Sequence, residues 1–220
     1  MKKWVCKGLI VAFGLSTLVT TASSEDLSSL FERAGKGDKQ AQMTLAEMYR
    51  NGDGLSKDGE EAAKWYRKAA EQGVTEAQAT LGQMYLEGEG VPKNDAEAAK
   101  WYHEAAEKGD PDAQSRLGHM YQEGIGVPKD YTRAATWYRR SAEQDNADAQ
   151  ASLGLLTANG YGVPRDYAEA VKLYRKSAEQ GDPQGMYGLG VMYHNGFGVE
   201  RDDREAMKWF HKAAERGYYK

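Results

Sequence analysis

Histidines are the residues of this chain best suited to metal binding and proton transfer, and their positions favour neither role. The chain holds four of them. His103 opens the segment His-Glu-Ala-Ala-Glu, which resembles the start of a zinc-protease helix, but the second histidine of that motif is missing. Glu107, at the end of the segment, has a glutamate at the same place in every sequence repeat described below. That recurrence indicates a structural role, and the sequence predicts no metal site.

Nucleophilic catalysis and phosphate binding are disfavoured as well. Cys6 is the only cysteine, and it lies in an N-terminal leader, so the rest of the chain offers no thiol nucleophile, disulfide or zinc thiolate. Neither a Gly-x-Ser-x-Gly nor a Ser-x-x-Lys motif occurs. The recurring Gly-x-Gly segments are not followed by the Lys-Ser/Thr pair of a phosphate-binding loop. We therefore expect a protein without catalytic residues, without a metal and without a cofactor.

The charge balance argues against nucleic acid as a partner. The chain has 29 basic and 33 acidic residues, a net charge of −4. Three of the lysines fall within the first seven residues, and without them the balance is 26 to 33, a net charge of −7. A chain this acidic binds phosphate backbones poorly. Hydrophobic residues at 40% and charged residues at 28% exclude a disordered chain and a membrane bundle.

Residues 1–22 have the order of a secretory signal peptide. Basic residues come first, Gly8 to Val19 form an apolar run, and small residues lead up to Ala22. The run is shorter than the ~20 residues that span a bilayer. We expect cleavage near Ala22, export to the periplasm or the cell exterior, and no membrane insertion afterwards. An uncleaved anchor is the alternative.

A 36-residue repeat supplies the elements that position every other residue. Five units fill 41–76, 77–112, 113–148, 149–184 and 185–220, and residues 23–40 resemble the second half of one more unit, an N-terminal half-repeat or cap. Each unit opens with apolar residues at helical spacing, such as Leu81 and Met84, which predicts a first helix, helix A. Helix A ends at a Gly-x-Gly whose first glycine suits the left-handed position after a helix.

The second half of each unit predicts a second helix, helix B. An Asp or Asn stands three residues before a Glu in four of the units, a capping pattern, and Ala and Trp-Tyr pairs follow at core spacing. A helix-turn-helix unit cannot bury its apolar face alone, so neighbours must stack. The sequence predicts an all-α, right-handed superhelical solenoid of eleven helices that starts and ends on a B helix.

The recurring pattern Ala-x-x-x-Leu-Gly-x-Met-Tyr-x-x-Gly-x-Gly-Val-Pro, followed by the Trp-Tyr and Ala-Ala pairs of helix B, resembles the Sel-one-like repeat (SLR) family, a relative of the tetratricopeptide repeats. This resemblance implies a superhelical scaffold whose A helices line a concave groove, and an adaptor role between proteins. Bacterial members are often secreted or periplasmic. Some cysteine-rich relatives carry a β-lactamase or penicillin-binding attribution, but they have a cysteine pair in each repeat, which this chain lacks.

Residues of helix A that face away from the core vary between units, and they turn apolar in the last two. Thr157 also replaces a tyrosine of the repeat, which would leave space for a pocket. We predict a partner-binding patch here whose side chains contribute little to folding; local repacking of a distorted fourth repeat is the alternative. The predicted partner-binding residues are Arg116, His119, Gln122, Ala151, Leu155, Ala158, Tyr187, Val191 and His194.

These observations together favour an exported, monomeric, non-enzymatic scaffold that binds a protein or peptide in its groove. Two alternatives remain open: a cell-wall activity of the β-lactamase or penicillin-binding kind, and a structural or regulatory subunit of an envelope assembly. One weak joint is also expected. Asp145 stands where the four other units end helix B with glycine, so a left-handed Asp145 would carry a steric cost that glycine avoids.

Overall fold

The computed structural model describes residues 24–218, and in that range the chain is all-α, with eleven helices and no strand. The predicted signal peptide, residues 1–22, lies outside the described residues. The A helices are α2 (Lys39–Asn51), α4 (Thr75–Glu87), α6 (Pro111–Glu123), α8 (Ala147–Asn159) and α10 (Pro183–Asn195). The B helices are α1 (Ser24–Gly35), α3 (Gly59–Glu71), α5 (Asp95–Glu107), α7 (Tyr131–Ala142), α9 (Tyr167–Glu179) and α11 (Asp203–Glu215). The predicted solenoid, beginning and ending on a B helix, is confirmed.

Local signals account for the helix ends. Every A helix stops at the first glycine of Gly-x-Gly, which takes a left-handed φ between 70° and 86°. Every B helix after α1 starts at the predicted Asp or Asn, whose side chain accepts backbone N–H bonds. Each A helix begins two residues before the start of its 36-residue unit as read from the sequence. In four of them an Asp or Asn cap causes this, as Asp38 does by accepting the N–H of Ala41.

The second glycine of Gly-x-Gly serves the contact between repeats in the second to fifth units, a role that the sequence did not reveal. A Cβ at Gly126 would overlap the backbone of Asp95, and a Cβ at Gly162 would overlap the backbone of Tyr131. Both partners are the first residue of a B helix in the preceding repeat. The loop of one repeat therefore rests directly on the start of the previous helix B, which only glycine permits.

A buried glutamine column joins the helices within and between repeats. Gln42, Gln78, Gln114 and Gln150 each donate to the carbonyl of an alanine eight residues earlier, at 3.0–3.3 Å. In three places a glutamine ending the following helix B donates to the column glutamine, as Gln144 does to Gln114 at 2.8 Å. Lys108 occupies that place in the second repeat and donates to the carbonyl of Gly73 at 2.7 Å. The Oε1 of Gln78 is consequently buried without a partner.

The expected weak joint is present. Asp145 has a φ of 61° and is the one non-glycine residue with positive φ among residues 24–218. The equivalent Gly73, Gly109, Gly181 and Gly217 have φ between 82° and 95°. The turn after α7 therefore keeps the geometry of the other repeats, and Asp145 carries the strain of adopting it.

Candidate partner-binding groove

The A helices of the last three repeats, α6, α8 and α10, pack side by side. A cavity of about 670 Å³ opens along them. Seven of the nine predicted partner-binding residues line it: Arg116, His119, Gln122, Leu155, Ala158, Tyr187 and Val191. We call this cavity the C-terminal groove. Leu155 is 37% exposed within it, and Val191 is half-buried.

Two predicted residues do not belong to the groove. Ala151 is fully buried, so its predicted place on the groove surface was wrong. The equivalent Ser115 donates to Asp148 on α8 at 2.6 Å, so this helical position faces the neighbouring A helix. His194 is exposed outside the cavity, with its Nδ1 2.9 Å from Oδ1 of Asp203.

Tyr187 lines the groove but also packs within the last repeat. Its ring lies 5.4 Å from those of both Phe210 and Tyr218. The expectation that groove side chains contribute little to folding is therefore wrong for this residue. Thr157 is buried and does not line the cavity, so the missing tyrosine is not the source of the open space. Helix α8 has the length and caps of the other A helices, which excludes a distorted fourth repeat.

Two equivalent tyrosines from the B helices form the groove floor and differ in their partners. The Tyr138 hydroxyl donates to Oε1 of Gln122 at 3.2 Å and also hydrogen-bonds Ser152. One repeat later, Ala158 stands in place of Gln122 and Gly188 in place of Ser152. The Tyr174 hydroxyl consequently has no hydrogen-bond partner among residues 24–218. Burial raises the pKa of both phenols well above its usual value.

Gly188 also creates the space above this floor. A Cβ at Gly188 would overlap the ring of Tyr174, which is 4% exposed. Because Ala158 is small as well, the two substitutions open the cavity over a hydroxyl that no described residue pairs. Sequence reasoning missed Tyr174, since it treated the whole tyrosine column as core. The available signal was the joint loss of Gln and Ser at the two positions that contact this column.

One rim of the groove is acidic. Glu76, Asp112 and Asp148 lie in the first turns of α4, α6 and α8, exactly one repeat apart, and line a second cavity of about 570 Å³ that adjoins the first. Asp112 accepts from Asn146 at 2.8 Å, and Asp148 accepts from Ser115, so neutral groups hold both carboxylates. None of the three forms an ion pair with another described residue.

The opposite rim is aromatic. The rings of Tyr167 and Phe197 stack at 4.6 Å and line the groove, and those of Tyr131 and Tyr161 stack at 5.0 Å one repeat earlier. Arg165 lies over the Tyr167 ring at 5.4 Å. Phe197 is 40% exposed and Tyr161 is 46% exposed. The signal for this rim was the residue between the two glycines of each loop, which changes along the chain: Asp53, Glu89, Ile125, Tyr161, Phe197.

The groove thus combines apolar, aromatic and carboxylate contacts. Over residues 24–218, no group of three or more His, Cys, Asp or Glu side chains is placed to hold a metal ion. No helix in the same range is long and apolar enough to cross a membrane. Chemically, this arrangement can bind a ligand of complementary shape. It offers that ligand one unpaired hydroxyl and a row of negative charges.

Comparison with known proteins identifies the repeat. The Sel1 repeat family model matches residues 39–74, 75–110, 111–146, 147–182 and 183–218, two residues before the units read from the sequence. A Sel1 repeat protein from Oxalobacter formigenes is 36% identical, with a TM-score of 0.81 over 90% of this chain and 81% of its own. Comparison with curated protein sequences gives no match.

Two further structures are similar. A protective antigen of uropathogenic Escherichia coli strains, described as displaying an SLR fold, is 40% identical, with a TM-score of 0.80 over 87% of this chain. This chain spans 41% of that antigen's length. The immunity protein Pa5087 from Pseudomonas aeruginosa, 21% identical over 87% of this chain and 73% of its own with a TM-score of 0.50, shares the fold. Five consecutive repeat matches and these relatives show that the chain belongs to the Sel1 repeat family.

Proposed function

We propose that this protein is an exported, non-enzymatic scaffold that binds a partner protein in the C-terminal groove. The observation that carries the proposal is the cavity of about 670 Å³ in which Leu155, Val191 and Phe197 lie together. Single exposed apolar side chains are ordinary on a protein surface, but several converging in one concavity with a few polar groups are typical of a binding site.

The family supports this class of function. Sel1 repeat proteins are typically protein–protein interaction scaffolds, and their solenoid is generally non-catalytic. In a solenoid each repeat contacts only its neighbours, so the inner face can vary while the fold persists. Hydrolysis of a chromogenic β-lactam by the purified chain would contradict the non-enzymatic part of the proposal.

Export is proposed from residues 1–22. A protective antigen among the relatives fits a protein that leaves the cytoplasm, although this chain spans only part of that antigen. Mass spectrometry of the native protein should find a mature N-terminus at or near Ser23. A membrane-bound chain that still carries Met1 would contradict export.

Site-specific crosslinking tests the groove. We would place a photoreactive benzoyl-phenylalanine at Leu155, and as a control at Met207, an exposed hydrophobic residue on α11 outside the groove. The proposal predicts a discrete adduct from position 155 in cells and none from position 207. Adding Val191→Glu to the Leu155 variant should abolish the adduct, because a charge then occupies the apolar part of the groove. An adduct that survives Val191→Glu would contradict binding in the groove.

A further inference from the structure

We propose that the partner of the C-terminal groove is an extended, positively charged segment that inserts one bulky apolar side chain between Leu155 and Val191. Basic residues on one side of this anchor would lie along Glu76, Asp112 and Asp148, and a polar atom beside the anchor would accept a hydrogen bond from Tyr174. The inference rests on the proposed function and names the chemistry of its partner.

The charge of the groove favours a basic segment. Three carboxylates follow one another along the rim on α4, α6 and α8, and neither Asn146 nor Ser115, which hold two of them, carries a charge. Arg116 is the one arginine or lysine that lines either cavity. A row of carboxylates without cationic partners attracts positive charge, and complementary charge fixes the register and orientation of a ligand.

The apolar end of the groove favours a single bulky side chain. Leu155, Ala158 and Val191 line the cavity from two neighbouring A helices, and the rings of Tyr167 and Phe197 close its rim. About 670 Å³ is more than one side chain fills, so the cavity also has room for the adjoining backbone. Burial of a large apolar anchor in such a site supplies most of the binding free energy at many interfaces.

Tyr174 indicates a polar contact beside the anchor. Tyr174 is only 4% exposed, and it lines the cavity. Its hydroxyl lacks a hydrogen-bond partner among the described residues. The equivalent Tyr138 is satisfied by Gln122 and Ser152, so the fold can pair this hydroxyl when both side chains are present. The hydroxyl is open to the cavity and has no protein acceptor there, so a backbone carbonyl of a bound segment would accept its hydrogen bond.

The repeat spacing predicts the pattern of the segment. Neighbouring A helices lie roughly 10 Å apart, and an extended chain advances about 3.3 Å per residue. One repeat therefore corresponds to about three residues of the ligand. Counted from the Leu155 side of the anchor, on α8, basic residues about three and six positions away lie over α6 and α4.

End-blocked, fluorescein-labelled Gly/Ser peptides of thirteen residues are the probes. The test peptide has Phe at its centre and Lys three and six residues from it. It is made in two orientations, one with both lysines N-terminal to Phe and one with both lysines C-terminal to Phe. Fluorescence polarisation should show that one orientation binds, that Phe→Ala weakens it about tenfold or more, and that added salt weakens it further. Failure of both orientations, or tighter binding when Glu replaces Lys, would overturn the proposal.

Variants of the protein locate each contact. Glu76→Gln with Asp112→Asn should weaken the lysine peptide about two- to fivefold per charge, while Glu104→Gln, an exposed charge on the B helix α5, should leave binding unchanged. Tyr174→Phe should weaken it about three- to tenfold without loss of thermal stability. Unchanged affinity in the charge variants or in Tyr174→Phe would overturn the corresponding contact.

The two proposals fail in different ways. If the peptides do not bind but the Leu155 crosslink forms and is lost with Val191→Glu, the groove binds a partner of other chemistry. If a lysine peptide binds equally well to Leu155→Glu and no cellular adduct forms at position 155, the groove itself is not the site and the proposed function is wrong.

Discussion

The first region of the molecule, repeats one and two, and the second region, repeats three to five, present different surfaces. Both are built on the same helical framework, which we call the frame. The cap residues, the left-handed glycines and the buried leucines recur in both regions at the same positions. In the first region the loop residue Glu89 forms an ion pair with Arg50 at 3.0 Å. In the second region the equivalent Tyr161 and Phe197 form aromatic stacks. Because the frame does not require these differences, they support the proposal that the binding surface lies in the second region.

The largest expected effect tests whether the frame is equal in both regions. Gly90→Ala and Gly126→Ala would each press a methyl group into the helix B start of the preceding repeat, at a residue that already has positive φ. We expect each to lower the free energy of unfolding by about 3 kcal/mol, as measured by urea denaturation. Gly109→Ala is the control: its φ is also positive, but a Cβ there meets nothing within 4 Å. Its cost should be about 1 kcal/mol.

A substitution of Tyr187 tests a residue that lines the groove and also packs within the last repeat. Its ring packs on Phe210 and Tyr218, so Tyr187→Ala should cost about 2 kcal/mol of unfolding free energy. Leu155→Ala, at an exposed groove position, should change it by less than about 0.5 kcal/mol. Equal thermal melting of the two variants would show that Tyr187 belongs to the groove surface alone.

A feature could be predicted from the sequence when the residues that determine it lie close together along the chain. Helix ends depend on residues within four positions of one another, so Asp58 and Gly88 could be read directly as cap and stop. The groove depends on residues about 30 positions apart that meet only after stacking. The burial of Ala151, the stack of Tyr167 on Phe197 and the unpaired Tyr174 all arise between repeats, beyond any local pattern.

The two floor tyrosines give a smaller and more specific test. Tyr138→Phe removes a hydroxyl that bonds Gln122 and Ser152, so it should destabilise the fold by about 1 kcal/mol. Tyr174→Phe removes a hydroxyl that opens into the cavity without a partner among the described residues, so it should leave the melting temperature unchanged. Equal destabilisation by both variants would show that a bound water or another group satisfies Tyr174.

Asp145→Gly tests the strained turn between the third and fourth repeats. Glycine relieves the cost of a φ of 61° and loses only a long, 3.5 Å contact from Gln150 to the Asp145 carboxylate. We expect an increase in unfolding free energy of up to ~1 kcal/mol. Gly181→Asp, the reverse change at the equivalent place, should lower stability by a similar amount. A lower melting temperature for Asp145→Gly would contradict the assigned strain.

The smallest effect concerns the glutamine column of the first region. Lys108 donates to Gly73 and leaves Oε1 of Gln78 buried and unpaired, whereas Gln144 in the equivalent place donates to Gln114. Lys108→Gln should therefore complete the column. It gains a bond to a buried acceptor and loses an exposed one to a carbonyl that water can also reach, so we expect a net gain of about 0.5 kcal/mol in unfolding free energy. Gln144→Lys should lower the unfolding free energy, because it leaves Oε1 of Gln114 without a donor. If both substitutions change stability in the same direction, the column is not the unit that joins these repeats.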